Sequence, residues 1–173
     1  MATLIKETGS GVTGANTYQT EAEADAYFAD NPYATTWDAG TSATKSDALA
    51  YAAVVVLQDW FRWVGQKADD TNALPFPRFG VLKQNEPFYY DSDEVPAVVV
   101  RAQAEVAQAI LAGTITGPSD LSGREKIKLG PLEIETENKQ RQDHGVPTHV
   151  LDMLQGLGRL VGAGLSINTV FRS

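Results

Sequence analysis

The chain has 173 residues, 43% hydrophobic and 21% charged, with no cysteine and a formal net charge of −8 from 14 Lys and Arg against 22 Asp and Glu. That length suits one domain with a real core. The missing thiols exclude disulfides, zinc–thiolate sites and cysteine nucleophiles, and favour an intracellular or assembled-particle setting. The acidic balance opposes a sequence-independent nucleic-acid binder, which clusters Lys and Arg against phosphates.

Residues 3–7 read as a short strand, and Gly9-Ser10-Gly11-Val12-Thr13-Gly14 as a loop. Thr20-x-x-Glu23 is a capping box that opens a short helix through about Asp30, with Ala22, Ala26, Tyr27 and Phe28 on its apolar face and Asn31-Pro32 as its stop. A second start within residues 41–46 predicts a long helix to about Val64. Leu49, Ala53, Val56, Leu57, Trp60 and Val64 recur along it at helical spacing, and Gly65 ends it. Residues 66–94 form an unusually long connection containing Leu74-Pro75-Phe76-Pro77-Arg78-Phe79-Gly80, either packed across helix ends or presented as a contact surface.

Ser92-Asp93-Glu94-Val95-Pro96 carries helix-start signals, and Val99, Ala102, Val106, Ala109 and Ile110 line one face of the helix predicted to follow up to Gly113. Residues 113–124 are linker-like. Ile127 and Leu129 before Gly130-Pro131, with Leu132 and Ile134 after it, predict a β-hairpin over about 125–136. Pro147 opens a last helix weakened by Gly156, Gly158, Gly162 and Gly164. The tail 165–173 holds Ile167, Val170 and Phe171, costly to leave in water, and reads as a docking arm. The fold class expected is mainly α: a single domain over 1–173, with a helical core at about 20–113, the hairpin, a C-terminal helix and arm at about 147–173, and an extended N-terminal arm. No apolar run approaches the roughly 20 residues of a membrane span, and the first residues lack a secretory pattern, so no membrane partner is expected.

Chemistry-bearing constellations are sparse. Gly9, Gly11 and Gly14 match GxGxxG, but the helix opens only at Thr20 and no βαβ unit follows, against a dinucleotide cradle. His144 and His149 are five apart, not the i, i+4 pair of a helical metal site. No nucleophile-elbow sequence is present, and the carboxylates read as helix-start or solvated charges. Catalytic residues, metal ligands and cofactors are therefore all expected to be none. Trp60, Trp63, Phe76 and Phe79 are expected to pack in the core or at a subunit contact; stacking on bases calls for a positive groove, and only Arg62, Lys67 and Arg78 lie nearby.

Several pieces occur in a familiar order: Gly11-Val12-Thr13-Gly14-Ala15-Asn16-Thr17-Tyr18, Ala24-Asp25-Ala26-Tyr27-Phe28, Phe61-Arg62-Trp63-Val64-Gly65, Leu74-Pro75-Phe76-Pro77-Arg78-Phe79-Gly80-Val81, Val95-Pro96 with its Ala-rich helix, and Leu129-Gly130-Pro131-Leu132-Glu133-Ile134. In this order, spanning most of residues 4–135, the chain resembles a tailed-phage family of head-to-tail adaptors whose members often carry the label DnaT-like single-stranded-DNA-binding. The resemblance implies a structural, non-enzymatic virion protein of the neck, made in the host cytoplasm. It implies a ring of about twelve copies closed by heterologous contacts, with the portal protein, a downstream neck or tail protein and passing DNA as partners. A carboxylate-lined channel repels phosphates and lets a duplex slide. On this reading subunit or portal contacts fall on Trp63, Phe76, Arg78, Phe79, Leu129, Leu132, Ile134, Ile167, Val170 and Phe171. The alternative is a replication accessory protein that binds single-stranded DNA through Arg62, Lys67, Arg78 and Trp60 or Trp63; a small hydrolase comes last.

Overall fold

The computed structural model describes residues 2–115 and 145–161, together with the backbone of two strands between them. The capping box forms: Thr20 Oγ1 accepts from the Glu23 N–H at 3.2 Å, and Glu23 Oε2 accepts the Thr20 N–H at 2.7 Å. It opens helix α1 (Glu21–Phe28), which buries Ala24 and Phe28. Of the expected inner face, Phe28 is buried and Tyr27 half-buried, but Ala22 and Ala26 are exposed. The rotation follows from Phe28, whose ring packs 5.1 Å from that of Trp37. Trp37 sits fully buried on the short helix α2 (Thr35–Asp38), an element the sequence did not advertise. Its indole N–H donates to Asp25 at 2.8 Å.

Helix α3 (Ser42–Tyr51) starts at the Thr41 cap. The single long helix to about Val64 does not form. After Tyr51 the backbone widens into a π-helical turn, Ala52–Leu57, and by Phe61 it has become a strand. The β-branched run Val54-Val55-Val56 is a poor continuation of an α-helix. Val64, expected in the core, is 46% exposed. The strand expected at residues 3–7 reduces to an isolated bridge between Lys6 and Thr17.

Six strands are described: β1 (Phe61–Trp63), β2 (Gln66–Lys67), β3 (Arg78–Phe79), β4 (Arg124–Leu129), β5 (Leu132–Glu137) and β6 (Gly158–Leu160). They pair antiparallel as three ribbons, β1 with β6, β2 with β3 and β4 with β5. The last is the expected hairpin, with Leu129 opposite Leu132 across Gly130-Pro131. The side chains of Leu129, Leu132 and Ile134, and the arm with Ile167, Val170 and Phe171, lie outside the described residues.

Helix α4 (Ala97–Leu111) starts after Pro96, three residues beyond Asp93. Helix α5 (Thr148–Met153) starts after Pro147. Both prolines suit a helix start, because no intrahelical partner exists there for the N–H they lack. The centre of the molecule is α4, which packs against α1, α2, α3, the π turn and α5. Its alanines, Ala102, Ala104, Ala107 and Ala109, are buried and let these neighbours approach closely.

One polar side chain is fully buried on α4. Gln103 Oε1 accepts the Tyr18 N–H at 3.0 Å, and its Nε2 donates to Thr17 Oγ1 at 2.7 Å and to the Leu49 carbonyl at 2.8 Å. It thereby fastens the N-terminal segment and α3 to the central helix. The described architecture is thus a mixed small fold, a helical core edged by ribbons. The expected mainly helical bundle is corrected to that extent: residues 61–63, 66–67, 78–79 and 158–160, expected as helix or loop, pair as strands.

Candidate functional site

The glycine-rich loop is occupied from within. Glu7, 1% exposed, places Oε1 on the N–H groups of Gly9 and Gly11 at 2.8 and 3.0 Å, and Oε2 on that of Val12 at 2.9 Å. The chain's own carboxylate fills the anion cradle that a dinucleotide phosphate would need. Gly9 (φ +103°) has the Asp93 carbonyl oxygen 1.8 Å from where a Cβ would stand, so only glycine fits.

The aromatic and basic residues singled out in the sequence come together around β1 to β3, mostly facing inward. Trp60 is 9% exposed. Trp63 is half-buried: its ring stacks on Phe61 at 5.4 Å and meets Phe76 edge-on at 5.0 Å, while its N–H donates to the Leu57 carbonyl at 2.7 Å. Phe76, at 1% exposure, belongs to the chain's own core and is not part of an outer contact surface. Arg78 is an internal clamp rather than a free cation. Its guanidinium donates to the carbonyls of Val64 at 2.8 Å, Gly65 at 2.7 Å and Pro75 at 3.2 Å. Burial pulls its pKa below the ordinary arginine range. Lys67 donates to the Asn72 carbonyl at 2.9 Å. Of the three cations a stacking groove would use, Arg62, Lys67 and Arg78, only Arg62 is exposed.

Phe79 differs. It ends β3 at 47% exposure and leads through Gly80 into a small hairpin. There the Lys83 N–H donates to the Phe88 carbonyl at 2.7 Å and the Tyr90 N–H to the Val81 carbonyl at 2.9 Å. Asn85 takes a left-handed conformation (φ 63°) at the tip. Gln84 Nε2 ties that tip to the carbonyls of Met153 and Gln155, both at 2.8 Å. Lys83 reaches Glu94 at 3.7 Å and lies 5.3 Å from the Tyr90 ring centre. The backbone is thus held at its base and its tip. Yet Leu82 (47%), Phe88 (65%) and Tyr89 (63%) stand in solvent, Leu82 bridged to Tyr89 across the hairpin, and Glu86, Asp91 and Asp93 are exposed in the same segment. Large exposed apolar groups on an anchored backbone make this hairpin the candidate contact surface.

The sequence singled out Phe79 but not Leu82, Phe88 or Tyr89. The signal available was the polar turn Gln84-Asn85-Glu86-Pro87 between Leu82 and the Phe88-Tyr89 pair.

A second polar cluster joins α1, α4 and α5. Glu105 accepts from the Tyr27 hydroxyl at 2.8 Å and lies 3.1 Å from His149 Nε2. Burial, reinforced by Glu105, pushes the Tyr27 hydroxyl up to about 12. His149 stands on α5 with this partner; His144 lies outside the described residues.

Among the described residues no group of three or more His, Asp or Glu is placed to hold a metal ion, and no helix is long and apolar enough to cross a membrane. Residues 2–173 match the family described as "Putative DnaT-like ssDNA binding protein". No curated protein and no solved structure matches the chain.

Proposed function

The chain belongs to that family, and we propose that it works as a structural head-to-tail adaptor of a tailed-phage neck, a non-enzymatic protein that packs against other protein surfaces. In this reading copies of the chain form a ring of about twelve beneath the portal. The ring continues the DNA channel, and acidic side chains keep the duplex from sticking.

The observation that carries the proposal is the anchored hairpin with Phe79, Leu82, Phe88 and Tyr89 in solvent. Burying two such rings, 65% and 63% exposed, removes on the order of 100–150 Å² each from water, and the backbone beneath them is already ordered, so little entropy opposes docking. The order of sequence pieces shared with phage adaptors supports the same role.

The test is quantitative mass spectrometry of purified, nuclease-treated virions. A fixed copy number close to that of the portal supports the adaptor role; absence from virions with abundance in infected-cell extract refutes it.

A second reading, binding of single-stranded DNA, is favoured by the family's description. Against it stand the net charge of −8, the engaged Arg78 and Lys67, and the inward-facing Trp60 and Phe76. Fluorescence anisotropy with a labelled oligonucleotide at low salt decides it: binding that weakens steeply with salt supports this reading, and a flat response removes it.

A further inference from the structure

The ribbon β1–β6 places Arg62 directly opposite Arg159, with Phe61 opposite Leu160 in the adjacent pair. Phe61 and Leu160 are buried, whereas both arginines are exposed, so the two guanidinium groups share the outer face of the ribbon. Side chains directly opposite in an antiparallel pair have Cβ atoms about 5 Å apart, and like charges there are destabilising. Among the described residues, Lys6 pairs with Glu23, Lys45 with Asp25 and Lys83 with Glu94, and Arg78 and Lys67 bond backbone carbonyls, whereas Arg101 is a lone exposed cation on α4. Arg62 and Arg159 have no hydrogen-bond or ion-pair partner among the described residues. Val64 and Val161, 46% and 39% exposed, continue the strands beyond them. The face is therefore doubly cationic with an aliphatic border.

The hairpin surface has the complementary chemistry. Glu86, Asp91 and Asp93 are exposed carboxylates with no hydrogen bond or ion pair among the described residues, in the segment that carries Phe88 and Tyr89. Guanidinium groups hydrogen-bond carboxylates and also lie over aromatic rings. Within one chain, no described hydrogen bond or ion pair joins the two surfaces.

We infer that Arg62 and Arg159 of one copy dock on the acidic, aromatic hairpin of a second copy, an interface between two different faces of the same chain. The inference rests on the adaptor reading and deepens it, since a contact between unlike faces propagates and closes into a ring when its rotation permits. Net charge favours this occupant: each neighbouring copy offers the anion the arginine pair lacks.

The test uses charge reversal on the full chain. Arg62→Glu with Arg159→Glu makes both surfaces acidic, and Asp91→Lys with Asp93→Lys makes both basic. All four positions are exposed, and circular dichroism with urea unfolding verifies that each variant folds. Sedimentation equilibrium at low salt, carried to millimolar protein, is expected to show self-association of the native chain that weakens as salt rises. Each variant alone loses about tenfold or more in association, and an equimolar mixture recovers it, because every contact in the mixture again joins opposite charges.

A native chain that stays monomeric throughout overturns the inference. So do variants that associate as well as the native chain, or a mixture that fails to recover. Salt-sensitive oligonucleotide binding abolished by Arg62→Glu with Arg159→Glu also overturns it, in favour of a nucleic-acid contact. The virion copy number is read independently, so failure of this contact is distinguishable from failure of the adaptor role.

Discussion

Gln103→Leu tests how the N-terminal segment is held. The native amide satisfies three groups in a fully buried position: the Tyr18 N–H, Thr17 Oγ1 and the Leu49 carbonyl. Leucine has similar volume and keeps the apolar contacts of α4, so the change isolates the polar loss. The three groups do not suffer equally. Thr17 Oγ1 still donates to the Gln19 carbonyl at 2.7 Å, and the Leu49 carbonyl still accepts the Ala52 N–H at the end of α3. The Tyr18 N–H, in a residue 1% exposed, loses its acceptor outright. One full orphan at about 1–3 kcal/mol and two partial losses sum to roughly 2–4 kcal/mol. That is a large part of the ~5–15 kcal/mol by which a domain is stable.

Urea unfolding followed by tryptophan fluorescence measures the change, expected as a lower midpoint at constant slope. Gln108→Leu serves as control: it removes a single exposed bond to the Tyr33 carbonyl and should change stability by less than about 1 kcal/mol. A loss below about 1 kcal/mol for Gln103→Leu refutes the view that this amide fastens the segment to α4.

Three further outcomes are expected. Gly158→Ala puts a Cβ 2.8 Å from Trp63 Cε3, and the indole is fixed by its bond to Leu57, so overpacking should destabilise by about 1–3 kcal/mol; a neutral or stabilising result in thermal unfolding contradicts the described β1–β6 register. Glu23 is held below the usual carboxylate pKa first by its hydrogen bond with Lys6 and then by the Thr20 N–H. A depressed folded-state value means stability that is present above the unfolded pKa and lost as pH falls through the folded one. The gap in urea midpoint between the native chain and Glu23→Gln should therefore be steady near neutrality and close as pH falls below about 4.5; a gap that persists undiminished at acid pH shows the reasoning wrong. Phe88→Ser with Tyr89→Ser should alter stability by no more than about 0.5 kcal/mol per site, since both rings are exposed, yet sharply lower incorporation into virions; normal incorporation argues against the hairpin as a docking surface.

Features built from neighbours in the chain were legible in the sequence. The Thr20–Glu23 capping box, the Pro96 and Pro147 helix starts, the periodic face of α4 and the pairing of Leu129 with Leu132 all arise within a few residues, where spacing alone dictates which groups can meet. Length, charge and the absence of cysteine likewise bounded the chemistry before any fold was considered. Long-range partners decided the rest. Helical spacing placed Val64 in a core stripe, but the π turn and the pairing of Phe61 with Leu160, ninety-nine residues away in sequence, rotated it outward. The adaptor resemblance marked Phe76, Arg78 and Phe79 alike as contact residues; tertiary packing buried the first and engaged the second with three backbone carbonyls, leaving the third in solvent, as are Phe88 and Tyr89. The opposition of Arg62 and Arg159 is equally invisible in one dimension. A strand's periodicity says which side chains share a face, but only the partner strand and its register decide what charge stands across from them.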